Sequence, residues 1–74
     1  MSTRQLRITG HAQIRSRIHE FRGKEINIVL TDSTVMFGTL TTIKENHLVL
    51  KNMRRKEMEF SLSDITEIYR DTKD

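Results

Sequence analysis

The chain has 74 residues, no cysteine, no proline and a formal net charge of +3. That length admits one small domain and leaves no room for a second core, and without cysteine there are no disulfides and no thiolate metal sites. No apolar run approaches the roughly 20 residues of a membrane-spanning helix, and the opening MSTRQLRITG lacks the apolar stretch of a secretory signal, so a soluble, cytoplasmic protein is expected.

Residues 1–8 are polar and basic and are expected to form a flexible arm. A helix follows over residues 10–22, with Thr9 as candidate N-cap, an apolar stripe of Ile14, Ile18 and Phe21 at i, i+4, i+7, and Gly23 where a helix end favours a left-handed residue. About three turns are too few to hold alone, so the stripe must pack on something. From Lys24 the apolar period becomes two: Ile26, Ile28 and Leu30 alternate with Asn27, Val29 and Thr31, the mark of a strand with one buried face. Asp32-Ser33 reads as a turn. Thr34 to Lys44 is a long strand rich in β-branched residues, with Met36 and Leu40 on one face of Gly38, where a bend or a close backbone approach is expected. Val35 and Phe37 then point outward, for subunit or helix packing ahead of a ligand pocket. Lys44-Glu45-Asn46 is a tight turn, His47 to Lys51 a short strand, and Asn52 to Lys56 a basic loop. Glu57 to Leu62 alternates with Met58, Phe60 and Leu62 inward, Ser63-Asp64 is a one-turn connector, Ile65 to Arg70 is the last strand, and residues 71–74 form a frayed tail.

The expected architecture is mainly β: an N-terminal α-helix followed by a strongly bent, five-stranded antiparallel small barrel over residues 24–70. A chain this short buries only about 60% of its unfolded surface, and neither disulfide nor metal is at hand to supplement it. His11, His19 and His47 lack metal-ligand spacing, and no cofactor is expected. A barrel this small leaves two edge strands that need cover. Pairing them between copies makes a head-to-tail homo-oligomeric ring.

Charge is unevenly spread. Residues 1–24 carry six basic side chains against Glu20 alone, and residues 51–60 carry Lys51, Arg54, Arg55 and Lys56 against Glu57 and Glu59; the other segments are net acidic. A basic head and a basic loop on an acidic body suit a polyanion, although solubilising charge gives the same count.

The segment INIVLTDSTVMFGTLTTIKENHLVLKN, Ile26 to Asn52, carries a resemblance to the Sm/LSm superfamily. By spacing it is most similar to the Hfq family of bacterial RNA chaperones: a turn acid (Asp32), a glycine six residues on (Gly38), an apolar residue two further (Leu40) and a run ending Leu50-Lys51-Asn52. The resemblance covers roughly residues 12–70. It implies an Sm-like barrel, a ring expected to be a hexamer, and binding of single-stranded RNA. The chain departs from the pattern at several points, among them a loop 52–57 slightly longer than in Hfq and a Tyr69-Arg70 that only loosely echoes the Arg-Gly of Sm proteins. Ser33 stands where a glycine is usual, Lys44 where an acid is usual, and Asn46 where Hfq has a stacking aromatic. The stretch Phe60 to Ile65 also lacks the lysine and histidine of the Hfq Tyr-Lys-His motif.

In Sm-type rings the turn at 44–47 lines the pore, which makes Asn46 and His47 the first candidates for reading a base, with Lys44 beside them. Asn offers a donor and an acceptor, and His stacks as well as hydrogen-bonds. The competing explanation is that Asn46 merely tolerates a left-handed turn. Arg54, Arg55 and Lys56 are candidates for phosphate contact without sequence reading. Arg17 and Arg22 lie near the place where Hfq carries an RNA-contacting arginine rim. Tyr69 either stacks a base or covers an interface. No catalytic set or phosphate loop stands out, so no enzyme and no small-molecule substrate are expected. The reading is an RNA-binding ring subunit, an RNA chaperone in post-transcriptional regulation; the alternative is a protein-interaction or scaffolding barrel.

Overall fold

The computed structural model describes residues 3–73, and side chains from residue 7 to 70; Met1, Ser2 and Asp74, at the ends of the expected arm and tail, lie outside the described residues. The chain runs β1 (Thr3–Thr9), α1 (His11–Arg17) continued by a 3-10 turn (Ile18–Phe21), β2 (Glu25–Leu30), β3 (Val35–Ile43), β4 (His47–Lys51), β5 (Glu57–Ser61), a 3-10 connector (Leu62–Asp64) and β6 (Ile65–Lys73). The strands form one antiparallel sheet in the order β1-β6-β2-β3-β4-β5. It is mainly β, with one helix near the N-terminus. Among the described residues the sheet has six strands where five were expected, and it is not closed, since β1 and β5 do not pair. Among the described residues no helix is long and apolar enough to cross a membrane.

The extra strand lies where a flexible arm was expected. β1 pairs with β6 from Thr3 opposite Lys73 to Thr9 opposite Glu67. The cause is Ile8, which faces Ile68 and is only 1% exposed. This one buried isoleucine in an otherwise polar and basic run seats the strand. The same pairing extends β6 through 71–73, which were expected to fray. Because Thr9 is held in the ladder, the helix begins after Gly10 (φ 84°), which takes the N-cap position without a side-chain bond. Gln13 instead reaches back to accept the Thr9 N–H at 3.3 Å. The helix expected over 10–22 is shorter: it tightens to 3-10 geometry from Ile18.

Ile14, Ile18 and Phe21 are buried against Ile26, Ile28, Leu40, Leu48, Leu50, Leu62, Ile65 and Ile68, with Leu30, Met36, Met58 and Phe60 packed around them. β3 carries an irregularity at Thr41, where the ladder slips between Leu40 and Thr42 and the Thr41 hydroxyl donates to the Val49 carbonyl at 3.3 Å. Gly38 serves the close approach, since a Cβ there would lie 3.0 Å from the Lys51 carbonyl oxygen.

The β2–β3 turn carries a local conflict. Ser33 adopts φ 72°, a left-handed backbone that suits glycine. Its neighbour Asp32 accepts the Thr34 N–H at 2.9 Å. Hydrogen bonds from the Thr34 side chain and backbone hold the Asp32 carboxyl below its ordinary value. Their contribution is therefore present above the ordinary carboxylate range and is lost as pH falls through the lower folded value. Ser33→Gly is expected to stabilise the fold by about 0.5 kcal/mol, relief of left-handed strain outweighing the glycine's extra unfolded freedom. The check is a urea midpoint that rises at unchanged slope.

Candidate functional site

Three elements meet at one end of the sheet. The β3–β4 hairpin closes where the Lys44 N–H donates to the His47 carbonyl at 2.7 Å, leaving Glu45 and Asn46 at the tip. The Asn46 carbonyl accepts the Leu62 N–H at 2.9 Å, tying this tip to the 3-10 connector after β5. From the helix, Arg15 donates to Asn46 Oδ1 at 3.1 Å and to the Glu45 carbonyl at 3.4 Å. A cleft of about 270 Å³ opens there, floored by Ile18, Ile43 and Leu62 and rimmed by Arg15, His19, Lys44 and Glu45.

This geometry decides one question about Asn46. Among the described residues, the only side-chain-bearing ones with positive φ are Ser33 and Arg55. Asn46 is therefore not there to relieve a left-handed turn. Its carbonyl oxygen is oriented by a guanidinium, its amide is exposed, and it stands beside an apolar-floored cleft with cations on the rim. Such a place has the chemistry to take the face of a flat ring on its apolar floor, with the Asn46 amide next to the rim.

Of the expected residues, Lys44, Asn46 and His47 come together at this end. Lys44 Nζ lies 3.2 Å from Glu59 Oε2, an exposed pair of little energetic weight. His47 is exposed at the start of β4, opposite Ser61. Arg54, Arg55 and Lys56 are not part of the cluster. They sit at the far end of β4, about 17 Å along a strand of this length. Asn52 shapes their loop by accepting the Arg54 and Lys56 N–H groups at 2.9 and 3.0 Å. Arg17 turns along its own helix to Glu20 at 3.3 Å, and Arg22 lies exposed in the turn before β2. The expected arginine rim thus falls outside the cleft. Arg15 and His19 were missed as site residues. Both sit off the apolar stripe of the helix, as Arg17 and Arg22 do, and only the helix's docking direction separates the four.

Among the described residues no group of three or more His, Asp or Glu is placed to hold a metal ion. No family model, curated protein or solved structure matches the chain.

Proposed function

We propose that the chain is a subunit of an Sm-like, Hfq-like ring that binds single-stranded RNA as a cytoplasmic RNA chaperone in post-transcriptional regulation. The observation that carries the reading is Asn46, held by Arg15 at the lip of the cleft without any backbone need for an asparagine. The β2-to-β6 meander behind a helix, with its β3–β4 and β5–β6 turns joined at that lip, supports the resemblance. The pocket replaces an aromatic stack with an apolar floor and an edge-reading amide. Copies around a ring would multiply a weak single pocket by effective concentration. Because β1 already occupies the outer edge of β6, the free edges are those of β1 and β5. A head-to-tail ring, with a hexamer expected, would join β5 of one copy to β1 of the next.

The basic loop supplies phosphate contacts away from the pocket. Replacing Arg54, Arg55 and Lys56 together by alanine is expected to flatten the dependence of log affinity on log salt by up to about 2, near 0.7 per lost contact on a single strand. Base preference should stay unchanged. Fluorescence anisotropy across a salt series, on U-rich and A-rich RNA, reads both quantities. A slope identical to the parent's would remove the loop from the interface.

A further inference from the structure

β1 is attached to the domain by few kinds of contact. Its backbone ladder with β6 runs from Thr3 opposite Lys73 to Thr9 opposite Glu67. Of its described side chains, Arg7, Ile8 and Thr9, only Ile8 is buried, opposite Ile68 and in the same cluster as Ile14. Arg7 adds an ion pair with Glu67 at 2.6 Å. A ladder, one apolar anchor and one ion pair are indifferent to which copy of the chain supplies the strand.

What keeps β1 on its own domain is a joint of one residue. Gly10 connects β1 to the helix with φ 84° and ψ 144°, a conformation that strains any residue with a side chain. A Cβ built there would meet nothing within 4 Å among the described residues. The glycine is therefore required by the direction the chain must take and not by crowding. The joint itself is lightly held, since the Gly10 N–H reaches the Thr66 carbonyl at 3.4 Å and the Thr9 N–H reaches Gln13 at 3.3 Å. Seating β1 within one chain also closes a loop that spans the whole helix and the strands β2 to β5, which carries an entropic cost.

We propose that β1 is an exchangeable strand: the β6 edge of each copy takes β1 from its own chain or from a second copy, with Gly10 as the hinge, and exchanged strands join copies of this protein. The partner is the same segment of an identical chain, because Ile8 and Arg7 match Ile68 and Glu67 in any copy. In the exchanged arrangement β1 runs on from the helix start, and the joint takes extended values open to every residue. The inference goes beyond the RNA-binding reading and does not rest on it. A neighbour's β5 can add to the outer edge of β1 whichever chain β1 belongs to.

The chain has no cysteine, so introduced thiols report strand pairing cleanly. Thr9 and Glu67 are opposite in the ladder, and Cα atoms so paired lie about 4.5–5.5 Å apart, within disulfide reach. A tagged Thr9→Cys chain and an untagged Glu67→Cys chain are unfolded in urea, refolded together and oxidised. Neither can form the bond alone, and the tagged–untagged pair is expected well above its statistical share on a non-reducing gel. The Thr9→Cys/Glu67→Cys double variant should form the bond both within and between chains. Adding Gly10→Ala loads strain on the folded-back joint alone, and should raise the ratio of between-chain to within-chain bonds by about 5- to 150-fold per joint. Bonds found only within single chains, with mixed variants linked no more than statistically, overturn the proposal and make β1 a fixed part of its own domain. A double variant that forms no bond in either arrangement removes the β1–β6 register, and the proposal falls with it.

Discussion

Ile8→Ala is expected to destabilise the protein by about 2–5 kcal/mol, the range for truncating a fully buried isoleucine. Ile8 is 1% exposed, lies opposite Ile68 and belongs to the same buried cluster as Ile14. A chain of 74 residues has a total stability of only roughly 4–11 kcal/mol, so the loss takes a large share of it. The urea midpoint should fall accordingly. Neighbouring Arg7→Ala should cost far less, since its ion pair with Glu67 is half in solvent. If residues 3–9 were only an arm, Ile8→Ala would leave the midpoint where it is.

The second large effect is on binding. Asn46→Ala is expected to weaken single-stranded RNA binding by about 5- to 150-fold per site, equivalent to the 1–3 kcal/mol cost of leaving a polar partner unmet. Arg15→Ala should lose much of the same affinity, because Arg15 orients the Asn46 carboxamide. The double variant should lose less than the two single losses combined, as expected for residues that act through one contact. Both side chains are exposed, and stability should change by less than about 0.5 kcal/mol. Urea melts run beside the titrations separate a binding defect from unfolding. Independent, additive losses would mean that Arg15 contacts the RNA itself and does not position Asn46.

Most of the strands from Glu25 to Arg70 were legible because alternation is a direct imprint of a half-buried sheet: Ile26, Ile28 and Phe60 face where their period puts them, whereas the short apolar run of β4 is buried at Leu48, Val49 and Leu50 alike. The apolar stripe of the helix was legible for the same reason, with Ile14, Ile18 and Phe21 buried. β1 was not, because TRQLRIT carries only two apolar residues and depends on a partner strand about 60 residues away. The bulge at Thr41 left no residue-type signal, whereas Gly38 marked a close approach that the backbone does make. For the site, the turn at 44–47 was visible as a motif. The pairing of Arg15 with Asn46 arises from the docking of the helix on the hairpin tip, which short-range patterns do not encode.

The most direct test of the central claim is an equilibrium titration of nucleic-acid-free protein against labelled single-stranded RNA and duplex DNA, at low and near-physiological salt. The account predicts selective binding of single-stranded RNA that survives near-physiological salt and is weakened by Asn46→Ala. Binding no tighter than to duplex DNA, vanishing as salt rises, would contradict it and leave the chain as a protein-interaction module on the same fold.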